Sequence, residues 1–435
     1  MSKMDEKVKR ILEIADKKKD ESVKFLQKLI STDTTVIEEG KFGNEGNAQG
    51  WIAEEFKDMG CDVEVFEPDN EILQKKYSAD FTPGHNYEGR PIVAGKIKGQ
   101  GGGRSLLIDM HIDTVPEGNR DLWKHDPFGG EIEDGKMYGR GAVDMKAGHA
   151  GTVMAVRYIQ EAGIKLKGDL TLMSVVDEER GEGNGCLAYL DRGYRADGAF
   201  FPEGTNLTDI VFGSQGLLFC KLRIRGKSVH TTIKWTGVNA IEKMTKVING
   251  LDGLEKKWGL TTRQPELGPP LISVNRIHGG TEVNSLAEEC EAYASIIYLP
   301  IMMDKDGRGS QVKKEVEECI SYVCKGDPWL SEHPVEIEWI NEITPSVIDK
   351  DHDLIKNLKE IAEKYKPGEI KVTWGELPTM SRIMNDQADM PMILFGPGGL
   401  DQAHAIDEWV YVSEYLDYIK IAVEFILSWC GVAED

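Results

Sequence analysis

Strand-like apolar stretches alternate with stretches spaced like amphipathic helices along most of this 435-residue chain. In the first half, the strands SLLIDM and DLTLMSVV flank the helix MKAGHAGTVMAVRYIQEAG, which Gly163 ends. Towards the end, the helices LIKNLKEIAEKY and YLDYIKIAVEFILSW alternate with the strands EIKVTW and MPMILFGPGG. Because strands that alternate with helices form crossover connections, this order predicts an α/β fold with a mixed, mostly parallel sheet and helices on both faces.

A different order of elements interrupts this alternation from about residue 215. The stretches LLFCKLRIRG, NAIEKMTKVINGL, PLISVNRIHG, ECEAYASIIYLP, GSQVKKEVEECISYVC and PVEIEWI read as strand, helix, strand, strand, helix and strand. This is the order of a ferredoxin-like βαββαβ unit. A chain of this length usually has more than one core, so we expect residues 1–214 and 343–435 to form one domain and residues 215–342 an inserted one.

Charge and composition limit the partners of the protein. The sequence has 52 Lys and Arg against 74 Asp and Glu, a net charge of -22, which argues against nucleic acid or an anionic membrane as partner. Seven scattered cysteines fit reduced thiols. The first thirty residues lack the apolar core of a signal peptide, and no run approaches the roughly 20 apolar residues of a membrane span, so we expect a cytoplasmic protein.

Groups able to bind a metal ion follow several of the predicted strands. His111 and Asp113 alternate at the end of LLIDM, so they point to one face of that strand. The other candidates, each in a turn or after a strand, are Asp144, Asp177, Glu178, Glu179, Glu203 and His404. A single histidine or acidic triplet of this kind is usually only a polar loop residue. Their joint occurrence at successive strand ends, without a nearby cysteine, favours zinc or a similar divalent ion.

Seven motifs in order carry a resemblance to a known family. They are HIDTVPEG, DGKMYGRGAVDMKAG, SVVDEERGEG, FPEGTN, GKSVHTT, GGTEVNSLAEEC and FGPGGLDQAHAIDEWV. In these motifs the chain resembles the dinuclear zinc aminoacylases and carboxypeptidases, which include acetylornithine deacetylase, succinyl-diaminopimelate desuccinylase and glutamate carboxypeptidase. The resemblance extends from about residue 20 to about residue 430. It implies that the two-part domain is catalytic and binds zinc, and that residues 215–342 form a lid and dimerisation domain.

The resemblance also implies a ligand for each metal ion. His111 and Glu203 match the ligands of one zinc, Glu179 and His404 match those of the other, and Asp144 matches the carboxylate that bridges both. A bridging carboxylate holds two cations about 3.5 to 4 Å apart, where they share an activated water. Cobalt or manganese are alternatives to zinc.

Further roles follow from the same resemblance. Asp113 matches the residue that orients the metal-bound histidine, and Glu178 matches the general base. His230 matches a lid histidine that stabilises the oxyanion and, in dimeric relatives, reaches the active site of the other subunit. The other histidines are expected to be structural or surface residues; they are His85, His125, His149, His278, His333 and His352.

The expected substrate pocket departs from the family pattern. Asn284 and Arg382 match residues near the substrate in several members. Many relatives carry Asp-x-Arg-x-x-Pro on a lid strand, where this chain has SIIYLP, so that Ser295 and Ile297 occupy the charged positions. Relatives also tend to have Gly-Thr-Ser-Asp before the arginine that matches Arg382, where this chain reads ELPTMSR. The pocket is therefore not expected to be that of either biosynthetic deacylase.

Three functions are consistent with the sequence. The first is a two-metal amidohydrolase that cleaves N-acyl amino acids or related small amines through a metal-bridging water activated by Glu178. The second is a dipeptidase or carboxypeptidase. The third is a metal-poor binding protein without catalysis, which the presence of all five expected ligands and the base disfavours. We expect a homodimer that acts on small molecules or short peptides.

Overall fold

The computed structural model describes residues 3–38, 40–78, 80–181, 183–265, 267–375 and 381–434. Contacts divide the chain into two units. The first comprises Met1–Phe212, Ile348–Thr373 and Ile383–Asp435, and the second comprises Gly213–Val347 and Trp374–Arg382. The predicted boundaries differ from these by a few residues, but the short stretch Trp374–Arg382 groups with the second unit, whereas the sequence pattern placed it in the two-part domain.

Helices and strands alternate along the described residues. The helices are α1 (Lys3–Lys17), α2 (Lys19–Ser31), α3 (Gly46–Asp58), α4 (Asn70–Tyr77), α5 (Ala147–Glu161), α6 (Glu178–Gly181), α7 (Asn184–Asp191), α8 (Ala240–Thr261), α9 (Ser310–Lys325), α10 (Asp353–Ala362) and α11 (Val412–Cys430). The strands are β1 (Val36–Ile37), β2 (Phe42–Gly43), β3 (Asp62–Phe66), β4 (Ile92–Ile97), β5 (Leu106–His111), β6 (Ile132–Glu133), β7 (Lys136–Tyr138), β8 (Leu170–Val175), β9 (Ala199–Phe201), β10 (Asp209–Ser214), β11 (Gly216–Arg225), β12 (Leu271–Gly279), β13 (Glu289–Tyr298), β14 (Glu336–Ile343), β15 (Ser346–Val347), β16 (Lys371–Gly375), β17 (Met392–Leu394) and β18 (Trp409–Tyr411).

The first unit is built on a mixed sheet whose strands run in the order β10-β17-β9-β5-β8-β4-β3. The central pairs β17–β9, β9–β5 and β5–β8 are parallel. The outer pairs β10–β17, β8–β4 and β4–β3 are antiparallel. The sheet is mixed, as predicted, but the expectation of a mostly parallel sheet holds only for its centre. Periodicity locates a strand without giving its direction, and the consecutive strands β3 and β4 pair without a parallel crossover.

The centre of this sheet is covered on both faces. Every residue of β5 and β8 is buried, as is typical of parallel strands between layers of helices. Helix α5 packs closely because glycines line its inner side. A Cβ at Gly148 would lie 1.8 Å from the Pro202 carbonyl oxygen, and one at Gly151 would lie 2.5 Å from the Tyr418 ring. Helix α5 is thereby held against α11 and against the loop that follows β9.

The second unit contains a four-stranded antiparallel sheet in the order β12-β13-β11-β14. Along the chain its elements follow one another as β11, α8, β12, β13, α9 and β14. Alternate residues of β11, such as Leu218 and Leu222, share a buried core with Trp258 of α8 and Ile320 of α9. The intervening residues of β11 and β13 form the opposite, half-exposed face of the sheet. This unit therefore has a core of its own.

No helix among the described residues has both the length and the apolar character needed to cross a membrane.

Candidate metal centre

Four neighbouring parallel strands deliver the polar groups of the candidate site. Strand β5 ends at His111, β8 is followed by Glu178 and Glu179, β9 is followed by Glu203, and β17 leads into the loop that carries His404. Parallel strands end at the same edge of a sheet, which is where open α/β sheets place their ligands. The fold therefore brings together residues that lie far apart in the sequence.

These residues form two groups that share one carboxylate. The ligand atoms of His111, Asp144 and Glu203 lie within 4.8 Å of one another, and so do those of Asp144, Glu179 and His404. The two oxygens of Asp144 face different groups. Its Oδ1 lies 3.0 Å from His111 Nε2, while its Oδ2 lies 3.3 Å from His404 Nε2. Each group is completed by a second carboxylate, with Glu203 Oε2 3.5 Å from His111 Nε2 and Glu179 Oε2 3.0 Å from His404 Nε2.

An irregular turn over residues 142–146 presents Asp144. Gly141 precedes it with a φ of 77°, a conformation that favours glycine. A Cβ at this position would also lie 2.4 Å from Thr114 Cγ2. Glu408, which is fully buried, accepts hydrogen bonds from the backbone N–H groups of Gly141, Val143 and Asp144. No role was predicted for Glu408, because its partner Arg140 lies 268 positions away in the chain and nothing local in the sequence indicates the pair.

Asp113 holds two parts of the site in place. Its backbone carbonyl accepts a hydrogen bond from His111 Nδ1 at 3.0 Å, which leaves His111 Nε2 directed at the cluster. Its carboxylate accepts hydrogen bonds from the N–H groups of Glu178 and Glu179, at 3.1 and 2.9 Å. The expected partner of the histidine was the Asp113 carboxylate, but Oδ1 lies 3.6 Å from Nδ1, so the carbonyl makes the closer contact.

A cluster of buried polar side chains around Asp177 fixes the turn that carries Glu178 and Glu179. Asp177, with a φ of 64°, accepts hydrogen bonds from Tyr87 at 2.6 Å and from Arg90 at 3.2 Å, and its Oδ2 lies 2.7 Å from His85 Nδ1. Arg90 also binds Glu45, and both side chains are buried. The sequence left Asp177 among the general acidic candidates and treated His85 as structural. In the structure both support the backbone immediately before Glu178.

The crowding of carboxylates perturbs their protonation. Burial, together with the negative charges of Glu179, Asp144 and Glu203, raises the pKa of Glu178 well above its usual range. Burial and Asp144 raise the pKa values of Glu179 and Glu203 to about 7. Hydrogen bonds to Asp144 and Glu179 raise the pKa of His404 to about 10. Repulsion between these buried carboxylates favours their protonated forms, and a bound cation would relieve the same repulsion. Together with the two histidines they offer oxygen and nitrogen ligands suited to divalent cations, so the residues present fit a pair of metal ions.

The remaining predicted site residues lie in the second unit. His230 is exposed and caps the turn that follows it, with its Nδ1 2.8 Å from Thr232 Oγ1. Asn284 is its neighbour, because the Asn284 carbonyl accepts a hydrogen bond from the Thr231 N–H. Arg382 is buried and close enough to lower the pKa of the Tyr298 hydroxyl, although burial leaves that pKa raised overall. Residues 376–380 of the ELPTMSR stretch lie outside the described residues.

Comparisons with known proteins identify the family. Residues 107–428 match the sequence profile of Peptidase family M20/M25/M40, and the chain belongs to this family. It is 30% identical to the N-formyl-4-amino-5-aminomethyl-2-methylpyrimidine deformylase of Halalkalibacterium halodurans, with 97% of each chain covered. It is 26% identical to a probable succinyl-diaminopimelate desuccinylase of Staphylococcus aureus, with 73% of this chain and 82% of the relative covered. The chain is therefore a metal-dependent hydrolase of amide bonds, as the sequence analysis predicted.

Solved structures share the fold. An M20 metallo-carboxypeptidase from Sulfolobus solfataricus superposes with a TM-score of 0.73 at 17% identity, covering 94% of this chain and 99% of the other. A dinuclear metal-binding peptidase of the M20 family from Bacillus subtilis superposes with a TM-score of 0.64 at 14% identity, covering 95% and 99%.

Metal binding to the metal-free protein should release protons. A histidine nitrogen or a carboxylate oxygen binds a cation only after losing its proton. At pH 7, His404, with a pKa of about 10, is protonated, while Glu179 and Glu203, with pKa values of about 7, are each about half protonated. We expect at least about two protons released per chain, and affinity that rises with pH from about pH 6 until His404 loses its proton near pH 10.

Titration calorimetry in buffers of different ionisation enthalpy measures this release. The variant His404→Ala should release about one proton fewer than the wild type at pH 7. Metal binding without proton release and with affinity independent of pH would contradict the arrangement described here.

Proposed function

We propose that this enzyme is a two-metal deacylase that removes a formyl or similarly short acyl group from a small amine. The observation that carries the proposal is the pair of ligand groups joined at Asp144. The formyl group is suggested by the deformylase relative, which aligns over nearly the whole of both chains. N-formyl-4-amino-5-aminomethyl-2-methylpyrimidine is therefore the first substrate to test, and N-acyl amino acids, the class expected from the sequence, are the next.

We propose that His111 and Glu203 hold one divalent ion, that Glu179 and His404 hold the other, and that Asp144 bridges them. The distances within each group and the opposite directions of the two Asp144 oxygens support this assignment. Zinc suits such nitrogen and oxygen ligands, with cobalt or manganese as alternatives. Two bound ions would acidify a water molecule and polarise the carbonyl of the scissile amide.

Glu178 is proposed as the general base. It belongs to neither ligand group, yet its carboxylate lies close enough to Asp144, Glu179 and Glu203 for their charges to raise its pKa. The hydrogen bond from its N–H to Asp113 fixes its backbone beside that of Glu179, and adjacent side chains diverge. Glu178 would take a proton from the attacking water and then deliver it to the departing amine.

Substitution of the two adjacent glutamates should separate their roles. Glu178→Gln should lower kcat by at least about 10²-fold and keep the full metal content, because it removes only a proton acceptor. Glu179→Gln should lose metal, because it removes a ligand. Metal analysis beside steady-state kinetics measures both effects. Loss of a metal ion from Glu178→Gln would mean that the two roles are reversed or shared.

We propose that the second unit is the inserted ferredoxin-like lid and pairs with its copy in a homodimer, with His230 acting in the partner's active site. The strand order β12-β13-β11-β14 and the separate core of this unit support its identity as an insertion. The exposure of His230 and its position beside Asn284 support a role for both at a surface that meets substrate. His230 would stabilise the developing oxyanion.

Mixed dimers should recover activity if His230 acts across the interface. His230→Ala and Glu178→Gln homodimers are each expected to be inactive, but a heterodimer of the two contains one site with both residues intact. Subunit exchange is followed with differently tagged chains, and activity is assayed on the purified heterodimer. Exchange without recovery of activity would rule out action in trans.

Recognition of the substrate should not depend on a carboxylate group of the substrate. Ile297 occupies the position where many relatives carry an arginine, and its partners on the neighbouring strands are Leu217 and Leu271. A carboxylate placed against this apolar row would lose hydration without gaining a charged partner. We therefore expect kcat/KM for a good N-acyl amino acid and for its carboxamide to differ by less than about tenfold.

The variant Ile297→Arg provides the matched comparison. A charge-assisted hydrogen bond is worth about 1.5 to 3 kcal/mol, so the variant should shift the preference towards the free acid. A wild-type preference for the acid above about 100-fold would mean that another residue, such as Arg382, binds the carboxylate.

A further inference from the structure

A buried ion pair joins two of the loops that form the candidate metal centre. Arg140 and Glu408 are 2% and 0% exposed, and Arg140 Nη1 donates a hydrogen bond to Glu408 Oε2 at 2.7 Å. Arg140 lies in the turn between β7 and residues 142–146, and Glu408 immediately precedes β18. Neither residue is a candidate metal ligand. Because burying two charges is costly, their role should follow from the other hydrogen bonds that they make.

Glu408 acts on the turn that carries Asp144. Its Oε2 also accepts a hydrogen bond from the Gly141 N–H at 3.0 Å, and its Oε1 accepts from the N–H groups of Val143 and Asp144 at 2.9 and 3.3 Å. One carboxylate thus satisfies three backbone donors of an irregular turn as well as a guanidinium. An amide in place of the carboxylate would turn an NH₂ group towards some of these donors.

Arg140 acts on the loop that carries His404. Its Nη2 lies 3.4 Å from the His404 carbonyl oxygen and donates a hydrogen bond to it. His404 itself has a φ of 60°, a backbone conformation that L side chains rarely adopt and that needs support from its surroundings. The planar guanidinium has separate donors for Glu408 and for the carbonyl, whereas a lysine at this position offers only one ammonium.

From this geometry, and resting on the proposed metal centre, we infer that the Arg140–Glu408 pair is a brace that sets the spacing between Asp144 and His404. These two residues, with Glu179, form one of the two proposed metal positions. Arg140 would therefore control the affinity of that position, Glu408 would act on both positions through the turn that carries Asp144, and both would be positioning residues. Loss of a partner that orients a ligand typically lowers metal affinity by about 10- to 100-fold.

Calorimetric titration of chelator-treated protein with Zn²⁺ tests the brace. Arg140→Lys keeps a cation beside Glu408 but gives up the contact with the His404 carbonyl, so it should weaken one of the two ions by about tenfold or more and leave the other unchanged. Glu408→Gln should weaken both ions, because Asp144 bridges them. The control Glu424→Gln alters a largely buried carboxylate on α11 that pairs with Lys364 and Tyr365, away from the ligands, and should change neither.

Ligand variants show which position responds. In the background of Glu203→Ala, which leaves the position with His404 intact, Arg140→Lys should still weaken binding about tenfold. In the background of His404→Ala, it should have no further effect on the remaining ion. Thermal unfolding of the metal-free proteins by circular dichroism checks that each variant is folded. If Glu408→Gln does not fold, the metal affinities of Arg140→Lys alone test the brace.

The outcomes separate this inference from the proposed function. If the wild type binds two ions and Arg140→Lys binds both with unchanged affinity, or weakens both equally, the brace is overturned and the proposed centre stands. If the wild type binds fewer than two ions, the proposed centre fails and the brace fails with it.

Discussion

Mutual repulsion among buried carboxylates is the constraint on which the rest of this structure depends. Asp144, Glu178, Glu179 and Glu203 converge on one edge of the sheet, and their pKa shifts show the cost of placing these charges together. Carboxylates this close can share a site only if protons or cations neutralise them. Two divalent ions would provide that neutralisation and also the chemistry. The same arrangement that destabilises the metal-free site thus prepares it to bind metal.

Ligands that repel one another need a rigid frame, and the polar groups around the site provide it. Asp113 accepts hydrogen bonds from the backbone N–H groups of Glu178 and Glu179. Asp177, which precedes them, accepts hydrogen bonds from Tyr87 and Arg90. The Arg140–Glu408 pair does the same for Asp144 and His404. These contacts use backbone donors and buried partners, which move less than exposed side chains. The frame therefore fixes where the ligand atoms lie before any substrate arrives.

The sequence located the candidate ligands because their positions follow from local patterns. His111, Glu179 and Glu203 each lie at or shortly after the end of an apolar run, and parallel strands end at one edge, so their meeting in space was predictable, whereas the choice of Glu179 over its acidic neighbours rested on the family resemblance. The roles of Glu408 and Asp177 were not, because their partners lie far away in the chain and nothing local marks a buried ion pair. Strand direction was missed for a related reason, since an apolar run indicates a strand without showing whether it runs parallel or antiparallel to its neighbour.

The activity of the enzyme at defined metal contents tests the account most directly. Metal-free protein is reconstituted with increasing amounts of Zn²⁺, and hydrolysis of N-formyl-4-amino-5-aminomethyl-2-methylpyrimidine is measured at each ratio. The account predicts that activity rises until two ions are bound per chain and then reaches a plateau. Full activity with one ion per chain, or cleavage of dipeptides without hydrolysis of the formyl amine, would contradict it.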